Sequence, residues 1–251
     1  MKRHDLLVSL HERIRPRTYL EIGVNNGDSL ALSRVPSIGI DPEFTVTAEL
    51  QADLHLARTS SDEFFARRRP LAHLPLPVVD LAFVDGMHLS EYALRDVIAV
   101  ERFTLPTSVI VLDDMLPMRV EMANRQRTTM GWTGDVYKAA DALRRMRPDL
   151  LVLDVDTKPT GTCLVLFPDA THQGVLPGYD EWLATEAVVP DPQAVPEAVL
   201  SRSRAVDPVR LLESPGWDRL AGLRAEARAG DAAPVREAFA DLVRLAAELV
   251  G

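Results

Sequence analysis

Apolar positions along the first two thirds of the chain alternate between helical spacing and short near-continuous runs, and that alternation predicts a layered α/β fold. Leu6, Leu7, Leu10 and Ile14 are spaced for a helix over 5–14 that Pro16 ends. Residues 18–24 read as a first strand, followed by a turn rich in Gly and Asn and a helix from about Ser29. Residues 37–41 form a short second strand stopped by Pro42, and 53–57 a third, before a helix carrying Phe64 and Phe65. The run 78–84 is a fourth strand, apolar enough to be covered on both faces, with a helix over 90–102 behind it. Residues 109–112 give a fifth strand, 139–146 a further helix, and 150–155 and 162–167 two closing strands.

Only residues 156–161 join the last two strands. A parallel crossover needs about a dozen residues or more, so this pair is expected to be antiparallel. The fold expected is a doubly wound, Rossmann-like α/β sheet of seven strands, mostly parallel with an antiparallel last strand, plus a C-terminal helical appendage. Ligands of such sheets bind outside the carboxyl ends of the strands. After Asp169 the pattern changes: Pro177, Pro190, Pro192, Pro196, Pro208 and Pro215 leave no room for long elements. Pro234 to Val250 then reads as an amphipathic helix, with Val235, Phe239, Leu242, Leu245, Ala246 and Leu249 on one stripe. The division expected is a ligand-binding domain over 1–169, with the N-terminal helix of 1–16 included, and a Pro-rich linker and helical extension over 170–251. The extension either docks on the core or makes a homo-oligomer.

Charge narrows the partners. With 28 basic and 37 acidic side chains the formal charge is −9, which opposes nucleic acid and anionic membranes. Arg67-Arg68-Arg69 is the one basic run and reads as a solvated helix end. Cys163 is the only cysteine and lies in an apolar run, so it reads as a buried hydrophobe of a reducing, cytoplasmic protein. The N-terminus lacks the apolar core of a signal peptide, and no apolar segment is long enough to span a bilayer. A soluble protein is expected.

Candidate chemistry gathers at two strand ends. Leu20-Glu21-Ile22-Gly23-Val24-Asn25-Asn26-Gly27-Asp28-Ser29 puts a glycine turn between strand and helix, with the spacing E-x-G-x-x-x-G. A dinucleotide site wants G-x-G-x-x-G, but Asn25 and Asp28 stand at the second and third glycine positions, and Asp28 would repel a pyrophosphate. Nicotinamide and flavin cofactors are therefore disfavoured. Asp41, ending the second strand, stands where an acid can accept ribose hydroxyls. Ser60, Ser61 and Asp62 follow the third strand and either meet an adenine or cap the next helix, with Ser61 or Asp62 as the cap.

Together, E-x-G-x-x-x-G, Gly39-Ile40-Asp41 and Val84-Asp85-Gly86 resemble the class I S-adenosylmethionine (SAM)-dependent methyltransferases over roughly 17–168. The resemblance implies that 1–169 binds SAM. It carries Glu21, Gly23, Asn25, Gly27, Asp41 and Ser61 onto cofactor-binding positions, and Ser29, Ser60 and Asp85 are counted with them.

Phe83-Val84-Asp85-Gly86-Met87-His88 ends the fourth strand and Val111-Leu112-Asp113-Asp114 the fifth. Neighbouring strand ends would bring three carboxylates together. Such a group repels itself unless a cation or proton intervenes, and hard oxygen ligands favour Mg²⁺ or a similar divalent ion. The pattern resembles catechol and macrocin-type O-methyltransferases, and that resemblance implies a metal at Asp85, Asp113 and Asp114. Asp114 stands where the catechol enzymes carry Asn, as in the antibiotic-tailoring branch. The plainer alternative is that Asp113 and Asp114 cap loops and Asp85 meets ordered water. His88 occupies the position of the catechol enzymes' lysine base. With Asp85 it is the catalytic candidate, its unperturbed pKa near 6.5 suiting proton acceptance near neutrality; otherwise it is a satisfied helix-start histidine. His4, His11, His55, His73 and His172 have no comparable setting.

Residues 115–133 form a long connection with Met115, Met118, Met122, Met130 and Trp132, either an adaptable wall for an apolar substrate or packing. Thr133-Gly134-Asp135 reads as the cap of the next helix. The activity expected is O-methylation of a small molecule, a sugar or a phenol. The alternatives are a metal-independent O- or N-methyltransferase and a non-catalytic cofactor-binding or assembly subunit.

Overall fold

The computed structural model describes residues 1–250. Seven strands form one sheet: β1 (Tyr19–Ile22), β2 (Ser37–Ile40), β3 (Leu54–Ala57), β4 (Leu81–Val84), β5 (Val109–Asp113), β6 (Leu151–Val155) and β7 (Thr162–Leu166). Their order is β3-β2-β1-β4-β5-β7-β6. β1 to β5 run parallel to one another, and β7 runs antiparallel to both β5 and β6. The short 156–161 link forces that reversal, as its length predicts. The chain reverses its winding direction between β1 and β4, and a crevice opens there at the strand ends.

Every residue of β1, β2, β4, β5 and β7 is buried, so both faces are covered. Leu20, Ile22, Ala82, Val84, Ile110 and Leu112 pack with α3 (Ser90–Glu101) and α4 (Tyr137–Met146), beyond the short α2 (Ser61–Phe65). Tyr19, Leu81, Phe83, Val109 and Val111 pack on the opposite face against Leu6, Leu7, Leu10 and Ile14 of α1 (Arg3–Ile14). This alternation of strand residues between faces later decides which acid meets which partner.

Two expectations are corrected. The helix from Ser29 is only a 3₁₀ turn over Leu30–Leu32, because Pro36 and the start of β2 follow too soon for a longer element. The predicted helix over 234–250 is two pieces broken at Phe239. The break seats the Phe239 ring edge-on against Trp217, 4.8 Å between centroids.

The tail carries α5 (Tyr179–Trp182), α6 (Glu197–Leu200), α7 (Pro208–Leu212), α8 (Gly216–Leu223), α9 (Ala233–Ala238) and α10 (Ala240–Val250). Trp217, Leu211, Phe239, Leu242 and Leu245 join the α1 side of the core, so most of the terminal stripe is buried within the chain. The Arg224 guanidinium donates to the Ile14 and Arg15 carbonyls at 2.8 and 2.9 Å, capping the C-terminus of α1. Among the described residues no helix is long and apolar enough to cross a membrane.

Candidate active site

The turn after β1 is shaped by close backbone approach. Gly23 has φ +91°, and a Cβ there would lie 1.9 Å from the Asp85 carbonyl oxygen, so only glycine lets the ends of β1 and β4 meet. Asn25, itself at φ +48°, donates its N–H to Asp41 Oδ2 at 2.8 Å, and the Glu43 N–H reaches Asp41 Oδ1 at 2.7 Å. Two local backbone donors thus fix the Asp41 carboxylate at the end of β2.

A cavity of about 810 Å³ lies over these strand ends. Of the residues singled out in the sequence, Gly23, Asn25, Asp41, Ser60, Ser61, Asp85, His88 and Asp114 line it. Glu21, Gly27, Ser29 and Asp113 are not among its lining residues. Glu21 is buried, accepting from Tyr19 Oη at 2.6 Å and Ser29 Oγ at 2.9 Å. Burial pushes its carboxyl up to about 8 against the pull of those two hydrogen bonds. The cap of α2 falls on Ser60 rather than Ser61 or Asp62: Ser60 Oγ accepts from the Glu63 N–H at 3.2 Å.

Sequence reasoning missed Asp96. It lines the cavity from α3, and burial raises it to about 7 despite a hydrogen bond with Ser61. The signal was present, because Asp96 interrupts the apolar stripe of Ala93, Leu94, Val97 and Val100.

The acids at the ends of β4 and β5 separate by face. Asp85 and Asp113 continue the α1 side of their strands, following Phe83 and Val111, which are register partners. Arg3 of α1 bridges them, with Nη1 3.3 Å from Asp85 Oδ2 and in contact with Asp113 Oδ2. The Asp113 side chain is 1% exposed. Burial, then repulsion from Asp85 and Asp114, drives its pKa up, and Arg3 opposes them. Asp114 instead has φ +61°, accepts from Thr160 Oγ1 and lies 3.0 Å from His88 Nδ1. His88 Nε2 is 3.4 Å from Asp85 Oδ1.

Asp85, His88 and Asp114 each offer one ligand atom, all within 4.8 Å of one another. The structure therefore brings His88, not Asp113, to the other two. Two carboxylate oxygens and an imidazole nitrogen fit a divalent ion, and the nitrogen widens the choice from Mg²⁺ towards Mn²⁺ or Zn²⁺. Among these protein groups His88 is not the unperturbed base of the sequence reading. Burial lowers its pKa, but the hydrogen bond to Asp85 and the charges of Asp114 and Asp85 outweigh burial and raise it to about 9.

Trp132 covers this group, stacked on His88 with centroids 5.0 Å and planes 7° apart. The connection is clamped by Arg125, which binds Glu91 at 2.6 Å and Asp135 at 2.8 Å. Asp135 also accepts the Ser90 N–H at 2.8 Å, serving the start of α3 rather than of the helix that follows it. The methionines divide: Met115 and Met122 are buried, whereas Met130 lines the cavity and is 98% exposed. Arg3 and Thr160 had no sequence signal, since both reach the acids from distant segments.

No protein family matches the chain, and no curated protein matches it significantly. Solved structures similar to it include several methyltransferases. The O-methyltransferase TomG from Streptomyces achromogenes, involved in tomaymycin synthesis and in complex with SAM, is 20% identical, covers 65% of this chain and 78% of its own, and has a TM-score of 0.46. The Podospora anserina methyltransferase PaMTH1, bound to SAH (S-adenosylhomocysteine), is 14% identical over 66% of this chain and 78% of its own, with a TM-score of 0.46. The N-methyltransferase NodS from Bradyrhizobium japonicum is 15% identical over 66% and 93%, with a TM-score of 0.41.

Proposed function

We propose that the chain is a SAM-dependent methyltransferase that methylates a hydroxyl of a small molecule, a sugar or a phenol, with help from a divalent ion. One observation carries this reading. A single cavity joins a carboxylate held by backbone donors, Asp41, to the compact Asp85–His88–Asp114 group across the ends of β2, β1, β4 and β5.

Asp41 has lone pairs left to accept ribose hydroxyls, and Ser60 and Ser61 lie where the adenine would extend. Gly23 admits the amino acid end of the donor against the main chain. The sulfonium then faces Asp85, whose charge suits a cation. A divalent ion bound by Asp85, His88 and Asp114 would supply Lewis acidity, lowering the pKa of an acceptor hydroxyl. Both roles open to His88, ligand and proton acceptor, need its neutral imidazole, and sharing Asp85 and Asp114 with an ion removes the attraction that keeps it protonated. Trp132 excludes water above the reacting oxygen.

The test is calorimetry with SAM and SAH, followed by transfer of a labelled methyl group to a panel of sugars and phenols, before and after chelation. Binding of both, with turnover lost to chelator and restored by Mg²⁺ or Mn²⁺, is expected. Turnover indifferent to chelation would select the metal-independent reading, and binding without turnover the assembly-subunit reading. Folded protein that takes up neither SAM nor SAH overturns the proposal.

A further inference from the structure

Acids line the cavity along its whole length, Asp85, Asp96 and Asp114 included, but its lysines and arginines are gathered on one side. On the β2–β3 side stand Asp41, Glu43 and Asp62, and no lysine or arginine lines that half. On the β5–β7 side the cavity is closed by three separate segments: the N-terminus of α1, the 115–133 connection and the link between β6 and β7. Each brings cations, namely Lys2 and Arg3, Arg127, and Lys158. In a chain of net charge −9, basic residues placed on one side of one cavity are not explained by composition.

These cations are not equally engaged. Arg3 is held by Asp85 and Asp113, and Lys158 pairs with Asp156 at 2.9 Å. Lys2 and Arg127 have no acidic side-chain partner among the described residues. Lys2 is fixed beside Lys158 by the backbone, the Arg3 N–H donating to the Lys158 carbonyl at 3.3 Å and the Lys158 N–H to the Met1 carbonyl at 3.0 Å. Arg127 lies over Trp132, 6.0 Å from the ring centroid, and Trp132 in turn lies on His88. One free cation therefore approaches the Asp85–His88–Asp114 group from α1 and another from the covering connection. Like charges converging at a cavity mouth raise the local concentration of anions.

We infer that the methyl acceptor carries an anionic group, a carboxylate in the simplest case, which Lys2 and Arg127 hold while the hydroxyl to be methylated points at Asp85 and Asp114. This rests on SAM being the donor, because the donor's ribose and sulfonium are then met by Asp41 and Asp85, which leaves the two unpaired cations to the acceptor. The competing use of the same cations is to hold the donor's own carboxylate, and the two uses separate experimentally.

Calorimetry on the full chain, with and without saturating SAH, compares 3,4-dihydroxybenzoate with catechol, which differ by one carboxylate. The acid is expected to bind about tenfold tighter or more, the scale of one or two partly exposed charge contacts. In Lys2→Ala and Arg127→Ala that preference shrinks towards unity while SAH affinity is unchanged. A fall in SAH affinity in either variant assigns the cations to the donor and overturns the inference. So does SAH binding with no preference for the acid. Preference for the acid in a protein that refuses SAH would leave the anion site standing and remove the donor reading instead, and refusal of both removes both. Thermal melts of the two variants, whose side chains are exposed, exclude unfolding as the cause.

Discussion

The two halves of the cavity are built by different means. In the half over β1 to β3 the functional groups are set by backbone: Asp41 by the N–H groups of Asn25 and Glu43, Ser60 by the Glu63 N–H, and Gly23 by its positive φ against the Asp85 carbonyl. In the half over β4, β5 and β7 each group has a partner from far along the chain. Arg3 reaches Asp113 across 110 residues, Thr160 reaches Asp114 across 46, and the Trp132 carbonyl meets His88 across 44. A site half fixed by local backbone tolerates loss of any one side chain, whereas a half fixed by mutual ion pairing does not.

Substitution should expose that asymmetry most in the reacting group. Asp85→Asn removes a charge from the one carboxylate among the described residues that contacts both Arg3 and His88. A loss of roughly 10²- to 10³-fold in kcat/KM for methyl transfer is expected, the usual scale for an electrostatic group at a reacting centre. SAH affinity should change by less than about tenfold, because SAH lacks the sulfonium charge that faces Asp85 in the donor. If the affinity for SAH fell as far as the rate, the two halves would be one unit and the distinction would fail.

A smaller effect should follow Arg3→Gln. It leaves Asp113 buried beside two other acids without its cation, which costs about 1–3 kcal/mol and lowers Tm by several degrees. kcat should fall as well, since Asp85 loses the contact that orients it. Arg3→Lys should recover part of both, as an ammonium restores the charge but not the fixed N–H directions of the guanidinium, whose Nη1 contacts both carboxylates. A melting temperature and kcat unchanged by Arg3→Gln would show that Asp113 simply holds a proton and that Arg3 is incidental.

The same asymmetry explains how much was legible in the sequence. Strand and helix order, the reversed last strand and the acid at the end of β2 follow from spacings within a few residues, and they appear as expected. Short-range reading also overreached: the turn after Ser29 has helical spacing, but Pro36 leaves no room for a helix. In the other half, Asp113 and Asp114 are adjacent and look equivalent in sequence. Strand alternation sends one to Arg3 under α1, while a left-handed backbone turns the other to His88. The register of β4 on β5 could have paired Asp85 with Asp113 in advance. Nothing local could have named Arg3 or Thr160, because their proximity exists only once the sheet has closed.

The smallest expected effect lies beneath the donor half, where Glu21 holds its side chain against Tyr19 and Ser29 instead of lining the cavity. Folding raises its pKa from 4.5 to about 8 through burial. Between those values the unfolded chain binds fewer protons than the folded one, so stability is greatest below the lower value and falls as pH climbs to the upper. Glu21→Gln keeps the shape and has no proton to lose. The Tm difference between variant and parent should therefore drift in the variant's favour from pH 5 to pH 9 by a few degrees, about 1 kcal/mol or more. Asp96, raised to about 7, titrates in the same window in both proteins and cancels in the difference. A difference constant across that range would mean that Glu21 is ionised in the folded chain, and the acid beneath the glycine turn would then be a charge facing the donor rather than a strut under it.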